Sequence, residues 1–164
     1  MTPPSTAPSS AAIEADDRVP LIRITREFAA APAAVMRAHT DPELFARWIG
    51  PSNLSTRIEH WDARDGGSFR YVNVREDEEY TVRGCFHTVA ADVIVQTFAW
   101  EGMPDQVALE TLRLDDLGGR TRLVVESLCD SFEARDGWLS SGMETGVNEG
   151  YAALDGLLPT VDPS

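Results

Sequence analysis

Lysine is missing from the sequence, because all 14 basic residues are arginine. Schiff-base and pyridoxal chemistry, which need a lysine amine, therefore have no nucleophile here. Cysteine is scarce. Cys85 and Cys129 lie far apart and outside any CxxC spacing, which reads as two free thiols and neither a disulfide nor a metal site. His39, His60 and His87 fall on separate elements with no ligand spacing among them, so no metal and no cofactor is expected. The GxSxG, HExxH and GxGxxG patterns and the P-loop are missing, which leaves hydrolase, metalloprotease, dinucleotide and nucleotide readings without an anchor. No run approaches the ~18 apolar residues of a membrane span, and the N-terminal stretch lacks the basic and apolar regions of a secretory signal. The expected compartment is the cytoplasm. Positive charge is in short supply too. A formal net charge of -13 makes the surface repel phosphate backbones, which excludes nucleic acid and anionic membrane as partners.

What is present suits one globular domain. Hydrophobic residues at 43% and charged residues at 25% are ordinary, and 164 residues bury a core without staples. The opening tract, with Pro3, Pro4, Ser5, Pro8, Ser9 and Ser10, has little to bury, so residues 1–20 are expected to be a floppy tail. The domain is expected over 21–158, with a short C-terminal tail over 159–164.

Leu21 to Phe28 is a β-rich run, and Pro32 then stands where proline suits the first turn of a helix. Thr40-Asp41-Pro42 restarts a second short helix, which Gly50-Pro51 stops. From Thr56 to Leu128 the chain reads as strands separated by turn chemistry, a meander whose short loops imply antiparallel pairing. Arg135 to Leu158 then places Leu139, Met143, Val147, Tyr151, Leu154 and Leu158 at helical spacing. The expectation is an α+β fold: a curved antiparallel sheet of six or seven strands wrapped around a long C-terminal helix, with two short helices after the first strand.

Two features of this pattern point to a cavity. Gly142, Gly146 and Gly150 recur every four residues beside Met143, Val147 and Tyr151, a stripe without side chains that costs a helix about 0.8 to 1.0 kcal/mol per glycine relative to alanine. Such a stripe serves either close backbone packing or room for a ligand. The strands also carry many large aromatics, with Phe69, Tyr71 and Asn73 on one face and Tyr80, Val82, Gly84 and Phe86 on another, a mixture suited to a pocket with a few polar anchors. Glu110 shares its face with Ala108, Leu112 and Leu114. A carboxylate there needs a partner or a raised pKa, so it pairs with an arginine, sits near the open end, or acts as a ligand anchor or general base. The candidate cavity residues are Trp48, Trp61, Phe69, Tyr71, Tyr80, Phe86, Trp100, Glu110, Leu112, Met143, Gly146, Val147 and Tyr151. No catalytic pair stands out.

Several short segments, in order, resemble one family: Phe28-Ala29-Ala30-Ala31-Pro32, Thr40-Asp41-Pro42-Glu43-Leu44, Trp48-Ile49-Gly50-Pro51 and Arg64-Asp65-Gly66-Gly67-Ser68-Phe69. Phe98-Ala99-Trp100-Glu101-Gly102-Met103-Pro104, Leu109-Glu110-Thr111, Gly118 to Leu123, Arg135-Asp136-Gly137, Ser141-Gly142-Met143-Glu144 and Gly146 to Tyr151 continue the series. The chain resembles the START-like or SRPBCC superfamily, and within it the bacterial proteins similar to the C-terminal domain of the activator of the ninety-kilodalton heat-shock chaperone's ATPase. The resemblance implies a helix-grip (Bet v 1-like) fold, in agreement with the pattern above, but no single activity. Superfamily members bind lipids, hormones and polyketides, cyclise polyketides, or act with the chaperone. Three functions follow as expectations: binding of a small hydrophobic molecule, a cyclase or dehydratase using Glu110, Tyr71 or Asp62, and a chaperone-directed interaction module. The roughly twenty residues before Leu21 are too few for the separate N-terminal chaperone-binding domain that the eukaryotic activator carries. Either a monomer or a homodimer fits.

Overall fold

The computed structural model describes residues 10–163. Its frame is one eight-stranded antiparallel sheet: β1 (Ala12–Ala15), β2 (Leu21–Phe28), β3 (Ser55–Trp61), β4 (Ser68–Arg75), β5 (Glu78–Val89), β6 (Val93–Trp100), β7 (Ala108–Asp116) and β8 (Thr121–Leu128). The spatial order is β1-β2-β8-β7-β6-β5-β4-β3. Consecutive strands from β3 to β8 are neighbours, as short hairpin connections require. The β2–β8 pairing, from Leu21 opposite Leu128 to Phe28 opposite Thr121, brings the start of the domain against its end.

The inward face follows from alternation. Ile22, Ile24, Arg26 and Phe28 are buried on β2 while the residues between them are partly exposed. Register shifts between Ile58 and His60 on β3 and between Phe86 and Thr88 on β5 insert bulges, which bend strands and help the sheet to curve.

The helices lie on one face of this sheet. α1 (Pro32–Thr40) begins at a proline, and α2 (Pro42–Trp48) is capped by Asp41, whose carboxylate accepts from the Glu43 and Leu44 amides at 2.9 and 3.4 Å. Together they carry the chain from β2 to β3 at the far end of the strand order. α3 (Phe132–Ser140) is capped by the Ser131 hydroxyl, and α4 (Met143–Leu157) packs against α2 before a single 3-10 turn over Leu158–Thr160.

Three expectations are corrected. The stretch read as a tail up to residue 20 already belongs to the sheet from Ala12, because β1 pairs with β2 from Ala12 opposite Thr25 to Ala15 opposite Ile22. Pairing satisfies backbone groups that β2 would otherwise leave bare at the sheet edge, and Ile13 adds apolar contact with the core. This strand raises the count to eight; the part of the tail over residues 1–9 lies outside the described residues. At the other end, Val161 is 9% exposed and the Asp162 carbonyl accepts from Arg37, so the segment after Leu158 is tied down too.

The third correction concerns the long C-terminal helix. It is two helices, starting at Phe132 and breaking at Gly142, whose φ of 86° is a left-handed conformation that glycine adopts without a Cβ penalty.

Apolar burial divides into two clusters. One gathers Phe28, Val35, Leu123 and Leu154, each at most 1% exposed, under α1 and the C-terminal half of α4. The other gathers Phe69, Tyr71, Val82, Phe86 and Ile94 on the strands from β4 to β6.

Candidate functional site

Between the sheet and α2, α3 and α4 lies a cavity of about 840 Å³. Its sheet wall is built by alternation: Phe69, Tyr71 and Asn73 from β4, Tyr80 and Val82 from β5, Gln96, Phe98 and Trp100 from β6, and Ala108, Glu110 and Leu112 from β7. Val125 and Ser127 of β8 and Ile22 and Ile24 of β2 complete it. Opposite stand Phe45 and Trp48 of α2, Trp138 of α3, and Met143, Gly146, Val147, Gly150 and Tyr151 of α4. Exposed lining residues fall on two segments: Met103 in the loop between β6 and β7, and Glu133, Gly137, Ser141 and Gly142 along α3 and its junction with α4. These segments form the rim.

Two tryptophans are held by the end of α1, where the last carbonyls of a helix lack intrahelical partners. The Trp48 indole donates to the Ala38 carbonyl at 2.9 Å and the Trp61 indole to the Thr40 carbonyl at 2.7 Å. Phe45 then packs on Trp48, Trp61 and Tyr71, with ring centroids 5.5, 4.8 and 5.3 Å apart. Trp48 stacks on Tyr151 at 6.0 Å, and Phe98 meets Trp138 edge-on at 5.8 Å, joining β6 to α3. These aromatic pairs fix the wall's shape as well as its polarity.

The polar centre is Glu110. Gln96, Glu110 and Ser127 occupy directly opposed positions on β6, β7 and β8. The Gln96 amide donates to Glu110 Oε1 at 3.0 Å, and the Ser127 hydroxyl also hydrogen-bonds the carboxyl group. Burial pushes the Glu110 pKa above the usual carboxylate range, against the opposing effect of those two bonds. The carboxyl has no ion-pair partner among the described residues. Such surface as it exposes opens into the cavity. Tyr71 and Tyr151 are also buried, which drives both phenols far up in pKa, and the Glu110 charge adds to it. Both stay neutral. His39, another lining residue, is held with a lowered pKa by burial while Nδ1 meets the Val35 carbonyl at 2.8 Å, so its ring is neutral as well.

The structure brings Trp48, Trp61, Phe69, Tyr71, Tyr80, Trp100, Glu110, Leu112, Met143, Gly146, Val147 and Tyr151 to the cavity. Phe86, placed there from its face on β5, does not border it. It packs against Phe69 and Trp61 at 5.2 and 6.0 Å and is buried in the second cluster. Its cross-strand partner Gln96 and its ring neighbours Trp61 and Phe69 do border the cavity, so Phe86 forms a second layer behind that wall. Asp62 also lies off the cavity, bonded to the Arg64 guanidinium at 2.8 and 2.9 Å. Glu110 has no arginine partner. Gln96, Ser127, Phe45, Phe98, Trp138 and His39 were not placed at the cavity from the sequence. The first two become visible only with the register of three strands, and the rest needed the packing of the helices.

The glycine stripe serves both of its possible purposes, at different positions. A Cβ on Gly150 would stand 3.0 Å from the Trp48 carbonyl oxygen, so this glycine permits close approach of α4 to the end of α2. A Cβ on Gly146 would meet only Pro51, at 3.5 Å, and Gly146 borders open space. Gly142 makes the break between the helices. Among the described residues no group of three or more His, Cys, Asp and Glu side chains is placed to hold a metal, and no helix is long and apolar enough to cross a membrane.

A curved antiparallel sheet gripping a C-terminal helix over an internal cavity defines the helix-grip, START-like class. The chain belongs to the Activator of Hsp90 ATPase homolog 1-like protein family, whose model matches residues 29–159. Bacterial proteins of solved structure share the fold. One from Arthrobacter aurescens is 25% identical, with 91% of each chain covered and a TM-score of 0.83. One from Rhodobacter sphaeroides is 24% identical over 92% of this chain and 99% of that one, with a TM-score of 0.82. A third, from Mycobacterium smegmatis, is 24% identical over 92% and 98%, with a TM-score of 0.81. No curated protein matches the sequence.

Proposed function

We propose that this protein binds a small, mainly apolar molecule in the cavity between the sheet and α2, α3 and α4. The observation that supports this most is the cavity itself: about 840 Å³, walled by aromatic and aliphatic side chains, with the half-buried Glu110 carboxyl group among them. That size lies within the range of ligand pockets, and apolar walls with few convergent polar groups are their usual composition. A fold selected for stability alone fills such a space, because each buried void forfeits packing contacts.

The test is uptake of N-phenylnaphthylamine, a fluorophore that brightens in apolar surroundings, by the full chain and by Gly146→Leu. The wild type is expected to bind the probe. The variant, whose added side chain projects beside Pro51 at the cavity wall, is expected to bind at least about tenfold more weakly at undiminished thermal stability. Equal probe affinity in the two proteins, or no uptake by either, argues against the cavity as a binding site.

A further inference from the structure

We infer that the occupant of this cavity is a lipophilic amine, bound as its ammonium ion with Glu110 as counter-charge and with aromatic rings around the charged end. This rests on the cavity being a binding site and adds the chemical class of what it takes.

The lining has charge of only one sign. Glu110 in the interior and Glu133 at the rim are the charged side chains that border the cavity; none of the chain's 14 arginines does. His39 is neutral. A fatty acid, a phosphate ester or any other anion would therefore enter with no cation to meet it and one carboxylate to repel it, a combination that disfavours anions on both counts.

Glu110 is uncompensated. Its hydrogen-bond donors, Gln96 and Ser127, are uncharged. Arg26, the arginine on the inward face of β2, is engaged by Asp155 through two bonds of 2.6 Å, and the buried Arg135 pairs with Asp136 at 3.0 Å. A carboxylate in apolar surroundings costs free energy that a hydrogen-bonded cation offsets. No protein cation does so here, and an ammonium ion in the adjoining space would. Such an ion brings three donors to a group that only accepts.

The walls suit a cation as well as an apolar body. Phe45, Trp48, Trp61, Tyr71, Trp138 and Tyr151 present ring surface to the same space. Ring faces attract a cation within about 6 Å, most strongly where water is excluded. The formal net charge of -13 adds a long-range field that draws cations toward the molecule and repels anions.

Three ligands with the same ten-carbon chain separate the possibilities: decylamine, decanol and decanoate, each titrated against bound N-phenylnaphthylamine at neutral pH. High salt screens exposed charge while leaving a buried pair largely intact. The wild type is expected to prefer decylamine to decanol by about tenfold or more, with decanoate weakest. In Glu110→Gln, which keeps the shape and removes the charge, the amine's advantage is expected to disappear while decanol affinity stays within about twofold, which also reports an intact cavity.

Decanol or decanoate binding the wild type as tightly as decylamine overturns the inference. So does an amine preference that survives Glu110→Gln, since it would then come from the exposed acidic surface. Either result leaves the cavity as a site for apolar molecules, because displacement of the probe demonstrates that separately. Failure of the probe and of all three ligands to bind removes the site, and the inference with it.

Discussion

The two halves of α4 are built from the same pattern and do opposite things. Toward its C-terminus, Gly150 lets the helix press on the Trp48 carbonyl, and Tyr151, at the cavity's edge, joins Leu154 and, just past the helix, Leu158 in a solid core with Phe28, Val35 and Leu123. Toward its N-terminus, Gly146 and Val147 face the cavity, across from strand residues that in a filled core would touch them. The solid half holds α4 to the sheet, which allows the other half to stand away from it. Stability and capacity are thus assigned to different turns of one helix.

The largest difference between these halves is expected from large-to-small substitution. Leu154→Ala empties a fully buried position and is expected to cost about 3 to 5 kcal/mol, as buried leucines do when their surroundings cannot collapse. Leu112→Ala trims a wall that already borders open space and is expected to cost about 1 kcal/mol, mostly lost transfer free energy. Urea denaturation of both variants measures the gap, and equal losses would mean that the sheet wall facing the N-terminal half of α4 is packed as tightly as the core under its C-terminal half.

A smaller contrast, of opposite signs, is expected from alanine at the two glycines. Gly150→Ala puts a methyl 3.0 Å from a backbone oxygen that helix packing holds in place, and is expected to destabilise by about 1 to 2 kcal/mol. Gly146→Ala meets only the Pro51 ring at ordinary contact distance and is expected to stabilise by about 0.5 to 1 kcal/mol, the usual gain from replacing a helix glycine. Thermal unfolding of the pair decides this. A loss at Gly146 would show that its missing side chain serves packing after all.

The fold was largely legible because alternation and helical spacing report burial directly. Leu21 to Phe28 is a strand as its β-rich run indicates, with Ile22, Ile24 and Phe28 inward, and Thr121–Leu128 ends the series of strands expected from Thr56 to Leu128. β1 was not legible, since Ala12, Ile13, Glu14 and Ala15 offer a single large apolar side chain and gain their order from pairing with an edge. The site was legible in its members and not in its arrangement. Glu110 stood out on its own strand, but Gln96 and Ser127 join it only through registers that no local pattern encodes. The same limit misplaced Phe86: it shares a face with Tyr80 and Val82, but a face does not say which of its side chains the rings of neighbouring strands will cover.

The subtlest comparison sets Glu110 against its own neutral isostere. Its native pKa is raised by burial, so the folded state holds a proton after the unfolded chain has released it. The stabilising contribution of that retained proton is complete below the ordinary carboxylate pKa and is lost as pH rises through the native value. Glutamine does not titrate, so the stability of Glu110→Gln relative to the unliganded wild type is expected to rise with pH across that interval and then level off. The groups that sense the Glu110 charge do not blur this below neutrality, because Tyr71, Tyr151 and the Cys129 thiol all have raised pKa values and remain protonated. Thermal midpoints of the two proteins between about pH 4 and 8 measure the effect. A wild type that gains on the variant as pH rises would mean that the carboxylate is already compensated in the empty protein, and would remove the reason for the cavity to select a cation.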